Sequence, residues 1–202
     1  MKIPFSKEQL NDVQKEIFKV NNLEEGYIRP MCFYGAQGMG LRADNLKTHC
    51  IVAAWEWPSY MSPEAFDEGI KIKISSYKRQ TNNLVSRSKV NGNYVTSIMA
   101  LQEAMQEGFD EALLLDDEGN ISEGSGENLF LVKEGELFTP DLAASLNGIT
   151  RKSIISLAQE DGIEVRVKKI NLTEILDADE LFFTGTAAEV VPIRTVDQNT
   201  IC

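Results

Sequence analysis

The sequence feature that most constrains the fold is the stretch Ile121-Ser122-Glu123-Gly124-Ser125-Gly126-Glu127-Asn128-Leu129-Phe130. Two glycines flank Ser125, and glycine is the usual residue where the backbone needs a positive φ angle. The pattern therefore predicts a tight turn between two strands. Glu123 stands directly before the turn, and a carboxylate in a glycine-rich turn is also a candidate for cofactor chemistry.

Strands and helices follow one another along the chain without a strict β-α-β order. Residues 112–138 predict strands that are joined by turns at 116–120 and 133–136. Further strands are predicted at 27–33, 49–57, 70–74, 164–168 and 180–183, and helices at 7–20, 94–106, 150–160 and 172–176. This order predicts an α+β fold rather than a doubly wound sheet.

Two of the predicted helices carry more specific expectations. Ser6 and Gln9 form a capping-box pattern at the start of the first helix, and apolar residues continue it at helical spacing as far as Val20. The apolar residues Val95, Ile98, Met99, Leu101 and Met105 indicate the helix at 94–106. We expect the methionines and the leucine on its inner face to belong to the core.

A segment with two prolines and two serines, residues 58–63, interrupts the pattern. We expect residues 1–57 to be the remainder of a small N-terminal domain, 58–65 to be a linker and 66–202 to be a large domain. The glycine-rich residues 35–40 lack the spacing of a nucleotide fingerprint. They are interpreted either as a mobile loop near an active site or as a plain connection.

Composition excludes several classes of partner. A formal net charge of -11 argues against nucleic acid and anionic membranes, because their phosphates would be repelled. The three cysteines, Cys32, Cys50 and Cys202, are widely spaced and suggest free thiols in a reducing, cytoplasmic compartment. With a single histidine, His49, which we interpret as structural, no metal site is predicted.

A second motif, Ser88-Lys89-Val90-Asn91-Gly92-Asn93-Tyr94, places a lysine beside a turn. Pyridoxal 5'-phosphate needs a lysine to bind it and an acidic partner for its pyridine nitrogen, and Lys89 and Glu123 are of these types. Each signal alone is weak, since most lysines are solvated and Asn-Gly is a common hairpin turn.

Five motifs, including the opening stretch at 121–130, share their order and spacing with one known family. They are residues 110–116, 121–130, 137–140, 148–151 and 183–189. Together they closely resemble class IV aminotransferases, which implies the D-amino acid aminotransferase-like fold and pyridoxal 5'-phosphate as cofactor. Residues 26–30 and 54–57 resemble the bacterial branched-chain members of that family.

The resemblance implies a role for each matching residue. Lys89 corresponds to the lysine that binds the cofactor, Tyr94 to the residue at the ring hydroxyl and Glu123 to the partner of the ring nitrogen. The phosphate-binding positions are Ile149, Thr150 and Thr186. The substrate-binding positions are Tyr27, Arg29, Trp57, Ala187 and Ala188. Capping by Thr150, an ordinary ion pair of Arg29 and a core position for Trp57 remain as alternatives.

The implied activity is transamination of the branched-chain L-amino acids leucine, isoleucine and valine with 2-oxoglutarate, in a homodimer or a higher homo-oligomer. D-amino acid aminotransferase and aminodeoxychorismate lyase share the same lysine and glutamate and remain alternatives. The family's phosphate-binding arginine has no counterpart before Ser6, and the family's final strand and helix are missing after residue 197. We therefore expect a chain that is truncated at both ends, which leaves a catalytically silent fragment as a further alternative.

Overall fold

The computed structural model describes residues 1–81 and 87–201. Contacts divide the chain into two compact units, residues 1–58 and residues 59–202. None of the helices in the described residues combines the length and the hydropathy that a membrane span requires.

The first unit consists of one helix and one hairpin. Helix α1 (Lys7–Val20) begins at Ser6, whose Oγ accepts the Gln9 N–H while the Ser6 N–H donates to Gln9 Oε1. The predicted capping box is therefore confirmed. Strands β1 (Tyr27–Tyr34) and β2 (Thr48–Trp55) pair antiparallel, from Tyr27 opposite Trp55 to Tyr34 opposite Thr48. The strand predicted to end at Trp57 ends two residues earlier.

The second unit combines helices and strands in the mixed order that the sequence predicts. Its elements are α2 (Pro63–Glu68), β3 (Ile70–Arg79), α3 (Tyr94–Gln106), β4 (Glu111–Asp116), β5 (Ile121–Gly124), β6 (Asn128–Lys133), β7 (Glu136–Pro140), α4 (Ile149–Glu160), β8 (Val165–Lys168), α5 (Leu172–Leu176), β9 (Glu180–Gly185), β10 (Glu189–Val196) and β11 (Asn199–Thr200). Helix α2 begins inside the segment expected to be a linker.

One mixed sheet of nine strands forms the second unit. Its order is β5-β4-β3-β10-β9-β6-β7-β8, and β11 pairs with β10. Strand β3 runs parallel to both β4 and β10, and β7 runs parallel to β8, whereas the other pairs are antiparallel. This mixture confirms the α+β fold class.

The main core of the second unit is made by aliphatic and aromatic side chains of the sheet. Phe183 of β9, Leu129 of β6 and Val191 of β10 are fully buried in it. Burying side chains of this size contributes about 1.5–3 kcal/mol each relative to leaving them exposed. These buried side chains stabilise the sheet, and the sheet in turn holds the loops at its ends.

Helix α3 has the predicted bounds but packs through a different face. Its buried residues are Ser97, Ala100 and Ala104, which let the helix approach β3 and β4 closely. Of the residues expected in the core, Met99 and Met105 are exposed, at 44% and 60%, and Leu101 is half-buried. The prediction was therefore wrong for the two methionines, because small residues pack this helix.

Strand β10 and helix α2 were not predicted from sequence. Pro192 lies within β10, and proline has no N–H to donate to a strand ladder. The register of β10 against β3 shifts between Ile193 and Thr195, which breaks the alternation that identifies a strand. Helix α2 has only six residues, too few for a helical period to be recognised.

Candidate functional site

Lys89 lies just before α3 and faces Tyr94. The Lys89 Nζ donates to Tyr94 Oη at 2.8 Å and lies 5.5 Å from the centre of the Tyr94 ring. A 3₁₀ turn (Asn91–Asn93) connects the two residues, and Asn93 Nδ2 donates to Ser88 O at 3.1 Å. Lys89 is exposed and Tyr94 is half-buried. The turn thus presents an accessible amine beside a phenol.

Glu123 is the buried acid of the site. It is 7% exposed near the end of β5, where its Oε2 accepts the Leu146 N–H at 2.9 Å. Burial raises the pKa of Glu123 to about 7, while the charge of Arg79, the Leu146 N–H and the charge of Lys89 act in the opposite direction. The positive charge of Lys89 therefore favours the ionised form of Glu123.

Arg79, the last residue of β3, is the main residue of the site that sequence reasoning missed. Its Nε lies 3.2 Å from Glu123 Oε1, its Nη1 donates to Asn93 O at 3.2 Å and its Nη2 donates to Ser97 Oγ at 2.6 Å. One guanidinium therefore connects the buried acid with the turn after Lys89 and with the first turns of α3. The predicted strand stopped at Ile74, so no sequence signal singled out Arg79.

The N-terminus of α4 is open. Gly148 is the N-cap residue, no side chain caps the helix, and Ile149 and Thr150 occupy its first turn. The alternative that Thr150 caps the helix is therefore wrong. The N–H groups of a first helical turn have no partner within the helix and favour an anion. Arg151 connects this first turn to the end of β7, because its Nη2 donates a hydrogen bond to Pro140 O at 3.1 Å.

Asn128 connects the open helix with the buried acid. Its Nδ2 donates to Leu146 O at 2.8 Å, and the N–H of Leu146 is the group that binds Glu123. Asn128 Oδ1 lies very close to Gly148, because a Cβ added to Gly148 would be only 2.3 Å from this oxygen. A side chain at position 148 would therefore have to displace the Asn128 amide.

The turn between β9 and β10 contains Thr186, Ala187 and Ala188. Thr186 is exposed, Ala187 is half-buried and Ala188 is 1% exposed. Thr184, two residues before Thr186, pairs with Asn128 across β9 and β6. The turn that contains Thr186 and the two alanines therefore begins at the end of β9, the strand in which Thr184 pairs with Asn128.

The three remaining predicted residues form a cluster of their own in the first unit. Arg29 Nη2 donates to Tyr27 Oη at 3.4 Å, and its guanidinium carbon lies 5.2 Å from the centre of the Tyr27 ring. The ring centres of Tyr27 and Trp57 are 4.7 Å apart, and Trp55 stacks on Trp57 at 5.5 Å. This aromatic cluster supplies an apolar wall with a cation beside it.

A second group of buried acids adjoins the site. Glu111 and Glu127 are 0% and 7% exposed and affect each other's titration. Burial and the neighbouring Glu127 raise the pKa of Glu111 to about 8, and burial also raises the pKa of Glu127. The nearby Tyr60 has its pKa raised to about 12 by burial and by these two acids. Burial therefore favours the protonated form of both acids.

Comparison with known proteins gives a consistent result. Residues 1–196 match the family model described as Amino-transferase class IV. The chain is 52% identical over 198 residues to a branched-chain-amino-acid aminotransferase of Pseudomonas aeruginosa, covering 98% of this chain and 64% of that protein. It is 44% identical over 193 residues to the corresponding protein of Escherichia coli K12, covering 94% of this chain and 62% of the relative.

Solved structures agree with the sequence comparison. The crystal structure of the Escherichia coli branched-chain amino acid aminotransferase superposes with a TM-score of 0.96 at 41% identity, covering 100% of this chain and 67% of that one. The PLP-bound holo form of the Thermobaculum terrenum enzyme gives a TM-score of 0.90 at 30% identity, covering 100% of this chain and 66% of that one. The chain spans less than two thirds of the length of the two curated relatives. With almost its whole length matched, the chain belongs to the class IV aminotransferase family.

Proposed function

We propose that the protein catalyses pyridoxal 5'-phosphate-dependent transamination of leucine, isoleucine and valine, with 2-oxoglutarate as amino acceptor. The observation that carries the proposal is the Lys89 amine, 2.8 Å from the Tyr94 hydroxyl and within electrostatic range of the buried Glu123. The names of the two relatives and of the two solved structures support the substrate class.

The donor set of the second unit fits the cofactor. A phosphate suits the uncapped α4 N-terminus, where Ile149 and Thr150 would offer N–H groups, and Thr186 would add a hydroxyl. The Tyr94 hydroxyl suits the ring hydroxyl, and the buried Glu123 carboxylate suits a protonated ring nitrogen. When bound, the cofactor supplies an electron sink for the substrate carbon.

Lys89 would hold the cofactor covalently, and its amine would move a proton at the substrate Cα once the substrate has displaced it. It is suited to both tasks because it is exposed and because Tyr94 fixes its amine by a hydrogen bond. Glu123 must be ionised to stabilise the charge on the ring nitrogen, and its burial opposes this. The cationic Arg79 offsets the burial, so we assign it the task of keeping Glu123 charged and in place.

Substrate recognition is assigned to two groups of residues. The N–H groups of Ala187 and Ala188 bind the substrate carboxylate, where small side chains leave room. Tyr27, Arg29 and Trp57 contact the substrate side chain, with the aromatic rings as the apolar wall and Arg29 as the polar group that accepts the glutamate-like acceptor. The cluster of Tyr27, Arg29 and Trp57 would then accept both an aliphatic and an acidic side chain.

The wider assignments follow from the same resemblance. We propose a cytoplasmic enzyme of branched-chain amino acid biosynthesis that acts as a homodimer or a higher homo-oligomer. The exposed apolar residues Ile98 and Met105 of α3 support an oligomer, because such residues are commonly covered at subunit interfaces. The domain assignment of 1–57, 58–65 and 66–202 is supported by the division of contacts near residue 58.

Borohydride trapping tests the proposal directly. The chain is mixed with pyridoxal 5'-phosphate, reduced and digested, and the modified peptide is identified by mass spectrometry. We expect a dominant adduct on Lys89 that is lost in Lys89→Arg and kept in the matched control Lys15→Arg on α1. Diffuse labelling of surface lysines would contradict the proposal and support a catalytically silent fragment.

Substrate assays separate the proposal from its relatives in the same family. Transfer from L-leucine to 2-oxoglutarate, without transfer from D-alanine, is the expected result. Preferential use of D-alanine would indicate a D-amino acid aminotransferase. Release of pyruvate from aminodeoxychorismate would indicate the lyase.

A further inference from the structure

Two cysteines of the first unit lie directly opposite each other. Cys32 of β1 and Cys50 of β2 are register partners, and their sulfur atoms are 3.0 Å apart. Both are free thiols and both are half-buried. Neither residue belongs to the machinery assigned above, so the pair needs an explanation of its own.

The hairpin geometry suits a covalent bond between the two sulfurs. Directly opposite residues of antiparallel strands point to the same face, with Cβ atoms about 4.5–5.5 Å apart. A disulfide needs a Cβ separation of about 3.5–4.5 Å and a sulfur separation of about 2.0 Å. Closing the remaining gap between Cys32 and Cys50 therefore takes a small adjustment of two side chains and leaves the strand register unchanged.

An open groove gives small reagents access to the pair. It has a volume of about 260 Å³, lies between α1 and the hairpin, and is lined by both cysteines. Most of its other lining residues are apolar, including Leu10, Pro30 and Val52, with Lys7 and Gln14 among the polar ones. A molecule of the size of hydrogen peroxide fits this space easily.

We propose that Cys32 and Cys50 form a site of reversible oxidation by hydrogen peroxide, in which each thiol serves as the resolving partner of the other. In the first step a thiolate attacks one peroxide oxygen, the O–O bond breaks, and a sulfenic acid and hydroxide form. In the second step the neighbouring thiol attacks the sulfenic sulfur, an S–S bond forms, and the oxygen leaves as water after taking up a proton. Overall, two thiols are oxidised and one peroxide is reduced to two water molecules.

The short distance between the two sulfurs protects the sulfenic acid from further oxidation. A sulfenic acid without a nearby thiol is oxidised further to the sulfinic acid, which is not recovered by thiol reductants. At 3.0 Å the second thiol captures the sulfenic acid first. The pKa of Cys50 is raised because its thiol hydrogen-bonds to Cys32, so little of it is thiolate at neutral pH, and the oxidation should become faster as the pH rises.

Peptide mapping under non-reducing conditions tests the proposal on the whole chain. The variant Cys202→Ser leaves the two cysteines in question, and trypsin then separates them into the peptides 20–42 and 48–71. After brief exposure to hydrogen peroxide we expect one species in which these peptides are joined, and its loss on treatment with dithiothreitol. We expect the bond to form about tenfold faster in the folded chain than in urea, because the fold holds the thiols together.

The single variants Cys32→Ser and Cys50→Ser provide the matched controls. Each should lose the cross-link and accumulate sulfenic and sulfinic acid on the remaining cysteine, and a folded circular dichroism spectrum would exclude misfolding as the cause. The proposal is overturned if both thiols stay open to alkylation after peroxide treatment of the folded chain. It is also overturned if folded and urea-unfolded chains form the bond at the same rate. Neither result bears on Lys89, so this proposal and the proposed transamination can fail separately.

Discussion

Arg79 Nε lies 3.2 Å from Glu123 Oε1, and the two side chains are only 12% and 9% exposed. Among the described residues none accepts a hydrogen bond from this Nε, so the contact is an ion pair without an aligned N–H. The guanidinium is fixed from its other side by Asn93 O and Ser97 Oγ. A cation that is held independently of the acid can therefore tune the charge of Glu123.

Replacing Arg79 should raise the pKa of Glu123. In Arg79→Met the burial of the carboxyl group is no longer offset, so its pKa should rise above the present value of about 7. Glu123 would then be protonated at neutral pH, and the acid limb of the activity profile should move to higher pH. Carbon-13 NMR of labelled glutamate measures this titration in the chain without cofactor.

Two matched variants separate the charge effect from a loss of structure. Arg79→Lys keeps the cation and should recover most of the normal titration of Glu123. Arg166→Met removes an arginine whose ion pairs with Glu136 and Glu164 lie at the surface, and it should leave Glu123 unaffected. An unchanged titration in Arg79→Met would refute the assigned role.

Gly148→Ala should weaken phosphate binding through Asn128. The new Cβ would stand 2.3 Å from Asn128 Oδ1, so the amide must turn away and its Nδ2 would lose the hydrogen bond to Leu146 O. We expect a destabilisation of about 1–3 kcal/mol from the lost hydrogen bond and the strain, and weaker binding of inorganic phosphate by calorimetry. In an Asn128→Ala background the same change should cost much less, and strictly additive effects would contradict the contact.

Trp57→Ala should affect aliphatic substrates more than acidic ones. If Trp57 is the apolar wall, its removal should lower kcat/KM for leucine by about 10–100-fold, because apolar contacts of this size are worth about 1–3 kcal/mol. The value for glutamate should fall less. Phe33→Ala, which removes an aromatic ring stacked on His49 of the same hairpin, is the control. Equal losses for leucine and glutamate in Trp57→Ala would instead indicate a structural role.

Local patterns predicted many elements because local chemistry determines them. The capping box at Ser6 and the bounds of α3 were correct, since both depend on residues within a few positions of one another. The face of α3 was not, because its packing depends on how closely β3 and β4 approach Ala100 and Ala104. The hydrophobicity of the helix residues does not reveal how closely the strands approach them.

The sequence identified the candidate site residues that lie in the family motifs. The motifs led to Lys89, Tyr94 and Glu123, and the structure places the first two in direct contact. Arg79 was missed because it lies 44 positions before Glu123 in the sequence and meets it only through the pairing of β3 with β4 and of β4 with β5. A contact that depends on sheet order has no signature in a single sequence.

Glu111→Gln should remove a loss of stability at alkaline pH. The pKa of Glu111 is raised from an ordinary 4.5 to about 8, so between these values the folded state holds more protons than the unfolded state. The stabilisation is complete below about 4.5 and is lost as the pH rises through about 8. Glutamine has no proton to lose, and its amide can still accept the N–H of Ala112. The variant should match the wild type near pH 4.5 and exceed its unfolding free energy by about 2–4 kcal/mol above pH 8.

Urea unfolding at several pH values measures this difference for Glu111→Gln. Glu134→Gln, which removes an exposed acid, should follow the wild-type pH dependence and serves as the control. Glu111 interacts with the buried Glu127, whose pKa is raised as well, and with the partly exposed Tyr60, whose pKa is raised to about 12. Because Tyr60 stays neutral through this range, the pH dependence that remains in Glu111→Gln should belong largely to Glu127 and to Glu123, whose pKa values are also raised by burial. Parallel curves for Glu111→Gln and the wild type would mean that the pKa of Glu111 is not raised in the folded chain.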